Sequence, residues 1–301
     1  KEKVVVVVKG QRQEDLEMGF HLFLKEVVGG DTTVAWFLAI CLVHVVLLSA
    51  FRSRGPFQSK PWLATHQLSS LVGLIYCSAA GIAHMWSNED SHLFTNSIDR
   101  LYKFNMAGQD IAKVQLAFQF FNFLVTLFES ELANRPVMLV HHAVTASLAW
   151  FGTYHATYLH YYSLFYYGLS EISSIPLVFV ELFRYFPGFA EKNRIADIGC
   201  KAIFFFCFIY FRLVLWSIVN FSFWKDTLST LADQKSHCPA VAVYFLAANL
   251  ILSGLQFYWG WILIKEAFNL VTSAPSDYST STKVLVEQSP SQSHRHHVKA
   301  H

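Results

Sequence analysis

The chain has 301 residues, 53% of them hydrophobic and 15% charged, against about 25% charged residues in soluble domains. That balance excludes an ordinary water-soluble domain, which could not cover so much apolar side chain. The formal net charge is +2, with basic residues scattered among loops, which excludes the single basic stripe of a nucleic-acid binder.

In chain order, residues 1–31 come first. The chain begins at Lys1 without a methionine, and the run Val4 to Val8 is too short for a signal-peptide core, so the start reads as truncated or processed. Residues 14–28 set Leu16, Phe20, Phe23, Leu24 and Val27 on one helical face, the pattern of an interfacial amphipathic helix or of a helix packed on a bundle. Residues 32–57 form a first membrane helix and its loop. With a window of about 19 residues, apolar runs fall near 33–51, 68–86, 112–129, 137–154, 158–183, 198–222 and 240–267. Each is about long enough to cross ~30 Å of hydrocarbon. The expected fold is therefore all-α: a polytopic membrane helix bundle of about seven transmembrane helices, with six or eight as the alternatives. Residues 58–270 form one membrane domain. Residues 271–301, rich in Ser, Gln and His, read as a disordered tail.

With seven spans, the loops carrying Arg52, Arg54 and Lys60, then Arg135, then Arg184, Lys192, Arg194 and Lys201 share a side with the C-terminus. The positive-inside rule puts that side, and so the C-terminus, in the cytosol. Five cysteines without a CxxC pair indicate neither a zinc site nor a disulfide framework. The tail histidines have no ligand spacing, and no Walker, dinucleotide or HExxH motif is present, so no metal and no resident cofactor are expected.

An ionisable side chain in hydrocarbon costs roughly 2.5 to 3.5 kcal/mol and asks for a partner, water or a function. Four such residues stand out: His141 and His142 in the fourth run, Glu171 in the fifth and Arg212 in the sixth. Neighbouring helical positions diverge by about 100°, so only one histidine of the pair can face a reacting atom. His141 lies about one turn from the cytosolic end. His142 sits one residue deeper, nearer the level of Glu171, and is preferred as the catalytic member. Glu171 is flanked by Ser170 and Ser174 and followed by Pro176, which predicts a kinked helix with close neighbours. Arg212 is too deep to snorkel and needs an anion, Glu171 being the first candidate. Buried ion pairs serve structure and sites alike, so both roles stay open. His44, His66, His84, Gln115, Gln119, Asn122, Asn249 and Gln256 read as interhelical hydrogen-bonding groups. Tyr158, Tyr161, Tyr162, Tyr166 and Tyr167 read as interface belt or bundle packing.

The segment His141-His142-Ala-Val-Thr-Ala-Ser-Leu-Ala-Trp, then Tyr-Gly-Leu-Ser-Glu171-Ile-Ser-Ser, the mid-span Arg212 and the closing Leu255-Gln-Phe-Tyr-Trp-Gly-Trp-Ile-Leu-Ile-Lys265 together resemble a TLC domain, the membrane domain shared by ceramide synthases, TRAM and CLN-type proteins. The resemblance covers residues 58–270. Ceramide synthases carry a histidine pair and, in the next span, aspartates, and join an acyl group from acyl-CoA to a sphingoid amine. His141 and His142 match the pair, whereas Gly168-Leu169-Ser170-Glu171-Ile172-Ser173-Ser174 has no aspartate and looks closer to the smaller TLC-domain-containing proteins of membrane lipid homeostasis. The resemblance implies an endoplasmic-reticulum membrane protein with membrane lipids as partners. Three readings stand side by side. In the first, an N-acyltransferase uses His142 or His141 as base or nucleophile, Glu171 to orient it, acyl-CoA as co-substrate, and Arg212, Ser170 and Ser174 to hold substrate. In the second, a non-catalytic lipid binder or regulator holds a headgroup between Glu171 and Arg212. The third is a TRAM- or CLN-like trafficking factor. An open, lipid-sized cavity with a histidine and Glu171 on its wall favours the first; a closed bundle with Glu171 locked on Arg212 favours the others.

Overall fold

The computed structural model describes residues 31–86, 94–129, 136–155 and 158–272. The expected amphipathic helix at 14–28 lies outside the described residues, as does the tail from residue 273 on. Among the described residues every regular element is helical. The chain divides into two compact units, residues 1–257 and residues 258–301. The first holds the bundle, and the described part of the second, 258–272, is helical.

All seven apolar runs are helices. They are α1 (Thr32–Ser53), α2 (Pro61–Trp86), α4 (Met106–Phe128), α5 (Pro136–Trp150), α6 (His160–Tyr185), α8 (Arg194–Ala232) and α9 (Pro239–Thr272), with short helices α3 (Ser97–Tyr102) and α7 (Pro187–Lys192) between them. Six are long and apolar enough to cross a membrane on their own. The seventh, α5, has 15 residues of α-helix and is prolonged by a five-residue π-helix, Phe151–His155. Asn96 and Asn105 cap α3 and α4 by accepting from the backbone N–H of Asp99 and Gly108 at 2.9 and 2.7 Å, which satisfies donors the helix leaves open. Asp31 caps α1 through Thr33 N at 2.8 Å and also accepts from the Tyr154 hydroxyl at 2.7 Å, tying the start of α1 to the end of the α5 extension.

The distribution of side chains is that of a protein dissolved in lipid. On α1, Ala35, Ile40, His44 and Leu48 form the buried stripe while Leu42, Val45 and Val46 point outward. Large apolar side chains also cover the outside of α2, α4, α5, α8 and α9, a surface that water-soluble monomers rarely carry. The interior, by contrast, is rich in Ser, Thr, Asn, Gln and His, as expected where burial of apolar surface gives helices no reason to associate and polar contacts and close packing must do so. The backbones of α2 and α6 touch. A Cβ added to Gly81 would sit 2.7 Å from the Gly168 Cα, and one added to Gly168 would sit 2.8 Å from the Gly81 Cα. Only paired glycines allow that contact.

Two helices depart from α winding where the sequence places its charges. In α6 the chain is π over Leu164–Gly168 and 3₁₀ over Leu169–Ser173 before the α-helix resumes at Ser174. Pro176 lacks an N–H and crowds the carbonyl of Ile172, so the expected kink takes the form of altered winding in the preceding turns. In α8, Phe208–Leu215 is π-helical.

Candidate functional site

Glu171 and Arg212 lie on the two irregular segments and meet. Arg212 Nη2 donates to Glu171 Oε2 at 3.1 Å and to Ser174 Oγ at 3.0 Å, and its Nε donates to Ser173 Oγ at 3.1 Å. Glu171 also accepts from Ser174 Oγ at 2.7 Å and from Gln115 Nε2 at 3.1 Å. Both charged residues are buried, 5% and 7% exposed. A carboxylate with three donors and a guanidinium with three acceptors are the extra hydrogen bonds that make a buried ion pair tolerable. The pairing expected from the sequence is thus present.

Of the histidine pair, His141 lines a cavity with Glu171 and Arg212. His142 turns toward α4, where its Nδ1 lies 2.6 Å from Gln119 Oε1. The cavity is therefore served by the member of the pair that the sequence did not prefer, because depth along the helix matters less than the 100° of rotation between neighbours. Ser174 belongs to the ion-pair cluster. Ser170, fully buried, donates to the Tyr166 carbonyl one turn back and serves its own helix.

The cavity measures about 30 Å³, room for a few waters at roughly 10 to 15 Å³ each. Its lining includes the polar residues His141, Thr145, Glu171, Arg212 and Gln256 and the apolar residues Leu148, Leu159, Phe223, Phe245 and Leu252. Thr145 Oγ1 and both amide atoms of Gln256 are buried without a hydrogen-bond partner among the described residues. Gln256 was read as an interhelical group; it lies instead on the cavity wall. The signal was there as a stripe, since Asn249, Ser253 and Gln256 are spaced i, i+4, i+7 on α9. Asn249 and Ser253 fasten that face to α8, through Trp224 Nε1 at 2.8 Å and Trp216 Nε1 at 3.0 Å. Ser173, which holds Arg212, and Thr145 were also missed, because a hydroxyl in a membrane helix is too common to single out.

A second stripe on α4 organises the neighbouring polar groups. Gln115 reaches Glu171, Gln119 reaches His142, and Asn122 Oδ1 lies 2.8 Å from His66 Nε2. His44 approaches Ser69 at 3.3 Å. These five residues, Gln115, Gln119, Asn122, His66 and His44, make the interhelical contacts expected of them. Tyr158, Tyr162, Tyr166 and Tyr167 are buried in the bundle, away from an interface belt, and Tyr166 and Tyr167 also line the cavity.

Residues 57–265 match the model of the TLC domain. The chain belongs to the TLC-domain family. The match covers more than two thirds of the chain and agrees with the boundaries expected from its motifs, and comparison with curated proteins and with solved structures returns no significant match. The TLC domain thus comprises α2 to most of α9, and it contains the ion pair, the histidine pair and the cavity. With its membrane-crossing helices, this is an integral membrane protein of lipid-related type in contact with lipid.

Proposed function

We propose that this TLC-domain protein receives the polar group of a membrane lipid in the cavity between Arg212, Glu171 and Gln256, and acts in lipid homeostasis. The observation that carries this reading is the set of buried polar atoms without hydrogen-bond partners among the described residues, Thr145 Oγ1 and the Gln256 amide, beside a fixed cation and anion. Each unmet buried polar atom costs about 1 to 3 kcal/mol, so a guest with donors and acceptors recovers that cost on binding. The lipid's hydrocarbon would lie toward the apolar lining residues such as Leu159 and Phe245. The small cavity and the Glu171–Arg212 lock favour binding over transfer. By the positive-inside rule and the family resemblance, we place the protein in the endoplasmic reticulum with its C-terminus in the cytosol.

A second reading is favoured by His141, which shares the cavity with Glu171. Here His141 takes a proton from a lipid amine as the amine nitrogen attacks the thioester carbonyl of acyl-CoA. The C–N bond forms, the C–S bond breaks, and the proton leaves with the CoA thiol, giving an amide.

Both are tested on purified protein. Co-purifying lipids are identified by mass spectrometry for wild type, Gln256→Leu and His141→Ala, and acyl-CoA turnover with lipid amines is measured in parallel. Retention of one lipid class by wild type, lost in folded Gln256→Leu, with no turnover, supports binding alone. Turnover that falls ~10² to 10⁴-fold in His141→Ala supports the transferase. Absence of both retention and turnover overturns both.

A further inference from the structure

A second cavity, of about 380 Å³, lies at the end of the bundle where α2 ends and α6 begins. Its wall is graded. Along α8, Ile218, Phe221 and Ser222, then Lys225 and Asp226, follow one another on a single face, spaced i, i+3, i+4, i+7 and i+8. Ile218 and Phe221 are 58% and 73% exposed on the surface that faces lipid. Lys225, about 10 Å further along at 1.5 Å per residue, stands where the apolar part of α8 gives way to polar residues, next to Trp224. The cavity wall therefore runs from the exposed apolar surface of α8 to its polar end.

Among the described residues its charges do not balance. Asp226 is buried and fully engaged: Arg100 donates to it from Nε at 2.6 Å and Nη2 at 2.7 Å, Ser97 Oγ at 2.8 Å and Tyr162 OH at 2.5 Å. The hydrogen bond from Arg100 holds that guanidinium's pKa above its ordinary value, and the pair is neutral as a unit. Lys225 is exposed and has no ion-pair partner among the described residues. Among the described residues one surplus positive charge thus sits over an apolar trough, the complement of a molecule with one negative charge above a hydrocarbon chain.

We infer that this trough is a binding site for an anionic glycerophospholipid of the adjacent leaflet, its phosphate on the Lys225 ammonium and one acyl chain against Ile218 and Phe221. A free phosphate would use only the upper half of the site and leave the trough empty. The inference rests on a different cavity from the one around His141 and stands or falls separately from it.

The test uses the full chain in nanodiscs of phosphatidylcholine containing phosphatidylglycerol, with retained lipid measured after transfer to detergent. Wild type is expected to retain phosphatidylglycerol over phosphatidylcholine. Lys225→Gln should lower that preference about 5-fold, the value of one lysine near a lipid surface, and Lys225→Arg should restore it. Ile218→Trp, which fills the trough, should lower retention with the charge intact. Lys201→Gln, at the other end of α8 and paired with Asp197, should change nothing. Equal retention in wild type and Lys225→Gln, an equal loss in Lys201→Gln, or competition by inorganic phosphate that Ile218→Trp leaves unaltered would overturn the site.

Discussion

Replacing Arg212 by Met removes one half of the buried pair while keeping an unbranched, apolar side chain of similar reach. Breaking such a pair costs about 3 to 5 kcal/mol, because the remaining charge is buried without compensation. Glu171 keeps its hydrogen bonds from Gln115 and Ser174, so part of its demand stays met and the expected loss lies near the lower end, about 3 kcal/mol. Ser173 loses the Nε donor but keeps its own bond to the Ser170 carbonyl, which adds little. The double variant Glu171→Gln/Arg212→Met removes the stranded charge, and its amide can still take the Gln115 and Ser174 contacts. It should therefore be more stable than Arg212→Met alone, with a coupling within the ~0.5 to 3 kcal/mol range of contacting residues. The assay is equilibrium unfolding of the purified protein in detergent for wild type, both single variants and the double variant. Additive losses, or a double variant less stable than Arg212→Met, would refute the claim that the pair is one electrostatic unit.

His142→Ala leaves the Gln119 side chain without its partner at a buried site, so a stability loss of about 1 to 3 kcal/mol is expected by the same unfolding assay, with lipid retention unchanged in the folded fraction. Gly168→Ala places a Cβ 2.8 Å from the Gly81 backbone and should destabilise by about 1 to 3 kcal/mol through overpacking, measured as lower folded yield and an earlier unfolding midpoint. Asp226→Leu strips the acceptor from Arg100, Tyr162 and Ser97 and should loosen α3 against α8; faster hydrogen exchange in Ser97–Tyr102 checks this. If α5 crosses along with the six longer spans, glycosylation reporters at the two termini should show opposite sides of the membrane.

The membrane bundle was legible because lipid imposes long apolar runs, and each run became a helix. The pairing of Glu171 with Arg212 was legible for a related reason: two opposite charges on consecutive spans have few alternatives at that depth. The choice between His141 and His142 was not, since it depends on helix rotation, and rotation is fixed by neighbours such as Gln119 that lie far away in sequence. The altered winding in α6 and α8 was equally hidden. Pro176 announces a disturbance in α6, but no residue of Phe208–Leu215 marks the π segment. The Asp226 cluster escaped notice because its partners Ser97, Arg100 and Tyr162 come from two other helices.

The π segment in α8 also sets a phase. A π turn holds about one residue more than an α turn, equivalent to roughly 100° of rotation about the axis. Arg212, inside the segment, faces the serines of α6, while Trp216 and Asn220, beyond it, donate to Ser253 of α9 at 3.0 and 2.7 Å. Uniform α winding would swing one of these two seams off its partner. The extra residue is the offset that lets one helix keep two appointments, so a single deletion within Phe208–Leu215 should do more harm than most substitutions there, even with every named side chain still in place.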